Sequence, residues 1–210
     1  SLVMGAADKR CHERSEGVAT LVRLHVGEST AFFQLNDPEH FNTFSTGLGE
    51  DMRRVVEHGH TLCAVTAMVL QGAGPHFSVG GNPYSTLGSQ SRTQMRIILS
   101  LRELYDGFLQ LRTSPYSLTC AVHGTLVGGG VAGAMHADYI AADHASLFEH
   151  GNLVRGVCVL GMLSQTFAIA LGPKAQFVYL RNAQLNTTTA LALGLVNRLS
   201  AGVGATKQHA

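Results

Sequence analysis

Two continuous apolar runs, each followed by a glycine-rich segment, constrain the fold of this chain most strongly. "CAVTAMVLQG" (63–72) precedes "GPHFSVGGNPYSTLGSQS" (74–91), and "YSLTCAVHG" (116–124) precedes the glycine triplet 128–130. A run without a polar face predicts a strand that is covered on both faces, as in a parallel sheet. A long amphipathic pattern over about 92–112 predicts a helix between the two strands. Strands that alternate with helices predict an α/β domain.

Shorter signals define the rest of the chain. Segments 17–27 and 29–37 alternate apolar and polar residues, which predicts two strands joined by a hairpin turn. Ser45 or Thr46 is a candidate cap for a helix over roughly 46–58. A further strand is predicted at 137–143, and further helices at 160–171, 173–182 and 187–194.

The domain prediction is a single folded unit over residues 17–200. Residues 1–16 are interpreted as a polar leader or a domain junction, and residues 201–210 as a flexible tail. No internal repeat and no linker divides the central part.

Composition narrows the functional classes. The chain has 210 residues, 45% hydrophobic and 14% charged, with a net charge of +1. Scattered charges of this kind disfavour a nucleic-acid or basic membrane face, and no apolar run approaches the roughly 20 residues of a membrane span. The four cysteines lack a C-x-x-C pair, which predicts reduced thiols, a cytoplasmic location and no metal site.

The glycine triplet follows a buried strand and precedes a short helix pattern. Glycine lets the chain turn sharply and lets a ligand approach the main chain. Phosphate binding is one use of such a turn, but no Gly-Lys-Ser/Thr follows, and the spacing does not fit G-x-G-x-x-G. Stabilisation of an oxyanion by backbone N–H groups is another use. Close helix–strand packing without any ligand remains an equal alternative at this point.

The second glycine-rich segment, "HFSVGGN" (76–82), follows its own buried strand in the same manner. Two such loops after two central strands can converge, so that two backbone N–H groups bind one oxygen. The segments "GPHFSVGGNP" and "AVHGTLVGGGVAGAMHADYIAAD" resemble the two signature segments of the crotonase (enoyl-CoA hydratase/isomerase) superfamily. "NDPEHFNTFS" and "TTTALALGLVNRL" resemble two further segments of that family, in the same order.

This resemblance implies an α/β fold of the crotonase-like type, a spiral of ββα repeats, here without the family's usual C-terminal helices. It implies a homotrimer and a substrate that is an acyl thioester of CoA or of an acyl carrier protein, with no cofactor. The N–H groups of Gly81 and Gly129 match the pair that holds the thioester enolate oxygen in the family.

In hydratases of this family two glutamates activate the water. The matching positions here are Ala132 and Asn152. Ala132 cannot transfer a proton, and Asn152 is a candidate catalytic residue that can orient a water or a carbonyl but cannot act as a base. This pair favours a decarboxylase or an isomerase over a hydratase. The polyketide-pathway decarboxylases of the family also lack this glutamate pair, but they carry a lysine after the first loop that this chain does not have.

Several side chains near these motifs are candidates for substrate chemistry. His150 is the candidate proton donor, with a structural role as its alternative. Glu149 is a candidate displaced acid or base, and Arg155 a candidate clamp for a substrate carboxylate. The other candidate substrate-binding residues are Gly80, Asn82, Tyr84 and Gly128. His123 and His136 are interpreted as structural.

Two classes of function follow from these observations. The first is an enolate-forming thioester enzyme, either a lyase or an isomerase, with a hydratase or dehydratase that uses Glu149 as its variant. The second is a non-catalytic crotonase-fold assembly domain in a larger synthase.

Overall fold

The computed structural model describes residues 20–81, 93–157, 159 and 161–201. A six-stranded sheet forms its centre. In spatial order the strands are β1 (Val22–Val26), β2 (Thr30–Leu35), β3 (Ala67–Gly72), β4 (Ser117–Val122), β6 (Tyr139–Asp143) and β9 (Arg198–Ser200). β1 and β2 are antiparallel, and every other neighbouring pair is parallel. Parallel pairing places the carboxyl ends of β3 and β4 at one edge, where both glycine-rich segments begin.

A second, three-stranded sheet lies beyond that edge. It consists of β5 (Thr125–Val127), β7 (Leu147–Glu149) and β8 (Gln184–Asn186). β5 and β7 are parallel, whereas β7 and β8 are antiparallel. This small sheet connects the glycine triplet, which follows β5, to the segment that follows β7.

Six α-helices are described besides a short 3-10 turn at Pro38–His40. They are α1 (Thr46–His60), α2 (Gln94–Arg112), α3 (Gly129–Ala134), α4 (Leu163–Leu171), α5 (Lys174–Leu180) and α6 (Thr187–Ala192). Ser45 caps α1, because its Oγ accepts a hydrogen bond from the Leu48 amide at 3.2 Å. Leu48, Met52 and Val56 are fully buried on one face of that helix.

α1 and α2 pack at backbone contact. A β-carbon at Gly49 would stand 2.5 Å from the carbonyl oxygen of Leu104, and one at Gly107 would overlap the carbonyl oxygen of Gly49. The close crossing fixes the position of α2 and places Phe108 in the core, 1% exposed. It also sets the position of Tyr105, which lies between the two contact points.

The α/β class and the main elements agree with the sequence analysis. The predicted strand at 63–72 is shorter, at Ala67–Gly72, and the helix predicted from 160 begins at Leu163. Four short strands were not predicted from the sequence, namely β5, β7, β8 and β9, each of three residues.

Residues 1–19 and 202–210 lie outside the described residues, and these contain the predicted leader and nearly all of the predicted tail. Within the described ranges, no helix has both the length and the apolar character that crossing a membrane requires.

Candidate active site

The two glycine-rich loops run side by side in a defined register. Ser78 and Leu126 form a parallel bridge, and the Val127 amide donates to the Ser78 carbonyl oxygen at 3.2 Å. Gly81 lies three residues beyond Ser78, and Gly129 lies three residues beyond Leu126. The two segments run parallel from this bridge, so Gly81 and Gly129 occupy equivalent positions in the two loops. These are the two glycines that the sequence predicts as oxyanion donors.

The loops touch through their backbones, which only glycine permits. Gly80 has φ +78°, and a β-carbon there would overlap the carbonyl oxygen of Val127 and stand 3.0 Å from the amide nitrogen of Gly129. A β-carbon at Gly130 would overlap the carbonyl oxygen of Ser78. Any larger residue at either position would separate the two loops.

The backbone amides in these loops fall into two groups. The Gly80 amide donates to Ser78 Oγ at 3.2 Å, and the Gly128 amide donates to the Glu149 carbonyl oxygen at 3.0 Å. The amides of Gly81 and Gly129 donate to no acceptor among the described residues. A β-carbon at Gly81 would meet no atom of the described residues within 4 Å. Gly80 and Gly128 thus position the loops, and their own amides are not free for the predicted contact with substrate.

Asn42 organises the first loop, and the sequence analysis missed it. Its buried Nδ2 donates to the carbonyl oxygens of Ala73, His76 and Phe77 at 2.8, 2.9 and 3.0 Å. The backbone carbonyl oxygen of Asn42 accepts a hydrogen bond from Ser78 Oγ at 2.7 Å. In the sequence Asn42 belongs to a polar loop, where nothing distinguishes it from a turn residue.

Ala132 and Asn152 both flank the glycine triplet. Ala132 is buried in α3, 1% exposed, and Asn152 is 8% exposed. Asn152 Oδ1 lies 3.3 Å from the position of a β-carbon at Gly128. The two positions therefore border the loops, as the resemblance implies, and neither carries a carboxylate.

Glu149 and Arg155 are engaged with each other. Arg155 Nη1 donates to Glu149 Oε1 at 2.9 Å and to the Gly151 carbonyl oxygen at 2.9 Å. The Glu149 carboxylate also accepts from Asn182 Nδ2 at 3.2 Å and from Gln184 Nε2 at 3.0 Å. Burial alone would raise the pKa of Glu149, but these hydrogen bonds and the Arg155 charge lower it. This arrangement disfavours Glu149 as an acid and Arg155 as a clamp.

The His150 ring is turned toward the helices that follow β7. It makes edge contacts with Phe167 of α4 at 5.3 Å and Tyr179 of α5 at 4.6 Å, between ring centroids. Burial lowers the pKa of His150, although hydrogen bonds with the backbone and Asn152 act in the opposite direction. A neutral imidazole packed on aromatic rings is disfavoured as the acid that the sequence analysis assigned to it.

The two histidines interpreted as structural are both buried. His123 Nε2 lies 2.9 Å from the carbonyl oxygen of Gly74. His136 is 6% exposed, and neither ring nitrogen has a hydrogen-bond partner among the described residues. Burial, and secondarily the Arg112 charge, lower the pKa of His136 to about 4.

Tyr105 is the polar side chain that the structure adds to the site. Its Oη lies 3.4 Å from the position of a β-carbon at Gly129. Nothing in the sequence distinguishes it from other residues of the amphipathic α2, because its placement depends on the crossing of α1 and α2. The candidates Asn82 and Tyr84 lie outside the described residues.

Two surface grooves in the described part of the chain lie elsewhere. One, of about 320 Å³, is lined by Thr46, Arg96, Leu99, Ser100 and Glu103 between α1 and α2. A neighbouring groove of about 360 Å³ shares Leu99 and Glu103. Neither groove includes a glycine of the two loops, so the candidate site rests on the loops themselves.

Comparisons with known proteins agree with this geometry. The family model "Enoyl-CoA hydratase/isomerase" matches residues 25–208. The "Putative enoyl-CoA hydratase" of Thermus thermophilus is 30% identical over 186 residues, which are 86% of this chain and 71% of that protein. The bacillaene synthase dehydratase PksH of Bacillus subtilis is 25% identical over 183 residues, 86% of this chain and 69% of that protein.

A solved structure confirms the fold. The enoyl-CoA hydratase from Polaromonas sp. JS666 superposes with a TM-score of 0.82 and 21% identity, covering 89% of this chain and 73% of that one. The crotonase-like α/β fold and the resemblance stated from the sequence are therefore confirmed. On the family match, the two relatives and this superposition, the chain belongs to the enoyl-CoA hydratase/isomerase (crotonase) family.

Proposed function

We propose that this protein stabilises the enolate of an acyl thioester between the amides of Gly81 and Gly129, and that the enolate forms by decarboxylation. The observation that carries the proposal is the parallel Ser78–Leu126 register. It supports the proposal because the two loops run side by side from this bridge. The amides of Gly81 and Gly129 have no acceptor among the described residues, whereas the neighbouring Gly80 and Gly128 amides are bonded.

Two amides aimed at one oxygen favour the transition state over the ground state, because negative charge develops on that oxygen only as the enolate forms. Loss of one such donor in other enzymes costs about 100- to 1,000-fold in rate. The backbone contacts at Gly80 and Gly130 set how closely the loops approach each other, and donors that are positioned in advance need no reorganisation during the reaction.

The side chains around the loops favour decarboxylation over hydration. Hydration needs a general base for water, and the two glutamate positions hold Ala132 and Asn152. The nearby Glu149 is held by three side-chain donors. In decarboxylation the bond between the carboxylate carbon and the substrate carbon breaks, and its electron pair forms the enolate. Carbon dioxide leaves, so no base has to remove a proton from carbon.

Isomerisation of a double bond is the second candidate, because it passes through the same enolate. It requires a base that removes a proton before another is added. No carboxylate among the described residues is free for that task beside the loops, which ranks isomerisation below decarboxylation.

The substrate class follows from the family and from one relative. PksH bears the name of a bacillaene synthase dehydratase, which supports a thioester of CoA or of an acyl carrier protein in polyketide biosynthesis.

The proposed assembly is a homotrimer. Large apolar side chains are exposed after β7 and on the two helices beyond it, namely Val154, Ile169, Phe177 and Leu180 at 64, 70, 58 and 58%. Burial of this surface between copies supports self-association.

Incubation with a panel of acyl thioesters tests the proposal. The panel contains malonyl-type and glutaconyl-type thioesters and a crotonyl thioester, each on CoA and on a carrier protein, and mass spectrometry follows the products. We expect loss of carbon dioxide from one carboxylated class and no water addition to the crotonyl thioester. Ready hydration of the crotonyl thioester would overturn the proposal. Absence of any turnover across the panel would instead favour the assembly-domain alternative.

A further inference from the structure

The proposed decarboxylation requires an acid that delivers a proton to carbon, and the segment after β7 does not supply one. Tyr105, on α2, also lies near the glycine triplet. Its Oη lies 3.4 Å from the position of a β-carbon at Gly129. The hydroxyl therefore lies close to the backbone of Gly129, the second of the two glycines whose amides have no acceptor among the described residues.

The ring of Tyr105 also borders Ala132. Its Cδ1 and Cε1 atoms lie 2.8 and 2.9 Å from the position of a β-carbon at Gly161, and Ala132 Cβ lies 3.4 Å from the same point. The phenol, Gly161 and Ala132 therefore meet at one place. A residue larger than alanine at 132 would compete with the ring for this space.

The Tyr105 ring packs against aromatic side chains, and its hydroxyl has no hydrogen-bond partner among the described residues. Phe44 contacts the Tyr105 ring edge to face at 6.2 Å, and Phe44 in turn stacks on Phe108 at 4.2 Å. No described residue shares a hydrogen bond with Tyr105 Oη. The close crossing of α1 and α2 at Gly107 fixes the backbone two residues away. A fixed ring with an unused donor beside the candidate oxyanion site is the arrangement expected of a group that acts on substrate.

We infer that the Tyr105 hydroxyl is the catalytic acid that protonates the substrate carbon after carbon dioxide has left. The inference rests on the proposed function. In this step the enolate electron pair forms the new carbon–hydrogen bond, the proton comes from Tyr105 Oη, and a phenolate remains. The phenolate regains a proton from solvent, so the cycle consumes one proton and needs no other reactant.

The phenol suits this task chemically. A thioester α-carbon is a much weaker acid than a phenol, so proton transfer from Tyr105 to the enolate carbon is downhill. Burial raises the pKa of Tyr105 above its usual 10, which keeps the hydroxyl protonated at neutral pH. A carboxyl group would be ionised there and would repel the enolate.

Tyr105→Phe tests the inference, because it removes only the hydroxyl. Tyr116→Phe is the matched control: Tyr116 is also partly buried, but it precedes the start of β4, at the opposite edge of the sheet from the glycine loops. The reaction is run in D₂O on a methyl-branched malonyl-type thioester, whose product gains a new stereocentre carrying deuterium. Turnover and the configuration of that centre are both measured.

We expect the wild type and Tyr116→Phe to give one configuration at the same rate. Tyr105→Phe should lose roughly 100-fold in turnover and give both configurations, because solvent then protonates the free enolate. A Tyr105→Phe product of single configuration, whether formed slowly or at the normal rate, would show that another group delivers the proton and would overturn the inference.

A second measurement uses fluorinated tyrosines at position 105, which change the acidity of the phenol with little change in size. The rate of carbon protonation should vary systematically with phenol acidity, whereas a purely structural ring would give a constant rate. If wild-type protein released carbon dioxide from no thioester, the proposed function itself would fail. If the wild type were active and position 105 had no effect, only the inference about Tyr105 would fail.

Discussion

Two segments border Gly129, and they use their polar groups in opposite ways. In the loop 78–81 the polar groups are backbone amides, and the last of them has no acceptor among the described residues. In the segment 149–155 the polar groups are side chains, and they are bonded to one another or packed on aromatic rings. The contrast supports the proposal that backbone amides bind the thioester, while the side chains of the segment 149–155 stabilise the structure. Changes in the first segment should therefore affect activity, and changes in the second should affect stability.

Gly80→Ala should have the largest effect on activity. The new β-carbon would overlap the Val127 carbonyl oxygen, and φ +78° is strained for alanine. Separation of the loops displaces both amides, so we expect turnover of a thioester substrate to fall by about 1,000-fold or more.

Gly81→Ala is the matched control for this change. A β-carbon there meets no atom of the described residues within 4 Å, and the substitution keeps the backbone donor. Turnover should therefore stay within about tenfold of the wild type. Equal losses in the two variants, measured on protein with wild-type circular dichroism, would refute the proposed division of roles between the two glycines.

His136 follows α3 and serves as a reference for the effect of a purely structural imidazole on stability. Its pKa is about 4 in the folded protein and about 6.5 when unfolded, so the unfolded chain takes up the proton first. The free energy of unfolding should therefore fall as the pH drops from about 6.5 towards 4, by about 3 kcal/mol from this residue.

Denaturant titrations across that pH range check the prediction. His136→Gln should flatten the dependence, while His25→Gln, at an exposed site on β1, should not. An unchanged slope in His136→Gln would show that the imidazole is not held neutral in the folded protein.

The sequence indicated the two glycine loops more readily than the side chains around them. Gly81 and Gly129 could be proposed as candidates because glycine-rich segments after buried strands leave a strong pattern. Asn42 and Tyr105 could not, because each acts across a distance in sequence: Asn42 bonds carbonyl groups more than thirty residues away, and Tyr105 depends on a helix crossing. His150 was assigned as an acid from its position in the chain, but the direction of its ring is set by Phe167 and Tyr179.

His150→Gln tests whether His150, in the segment 149–155, has a structural role. Loss of the two aromatic contacts should lower the free energy of unfolding by about 2 kcal/mol, with turnover changed less than about threefold, since the ring does not deliver the proton. Thermal unfolding and steady-state kinetics measure the two effects. A loss of about 100-fold in turnover with unchanged stability would restore His150 as the acid.

Glu149→Gln should have the smallest effect. It removes the ion pair with Arg155 but keeps the side-chain volume, so we expect a loss of about 1 kcal/mol at neutral pH and little change in turnover. Because the pKa of Glu149 is lowered on folding, its stabilisation exists above the unfolded pKa of about 4.3. That stabilisation is lost as the pH falls through the folded value, so wild type and variant should converge in acid. A turnover that collapses in Glu149→Gln would assign the carboxylate a chemical role.

The central claim is that the amides of Gly81 and Gly129 share one thioester oxygen. A crystal structure of the protein with a non-hydrolysable thioester analogue tests this claim most directly. The account predicts that the carbonyl oxygen of the analogue lies about 2.7–3.2 Å from both amide nitrogens, with Tyr105 Oη facing the adjacent carbon. A complex in which the two amides face apart, or donate to acceptors within the protein while the analogue is bound, would contradict it.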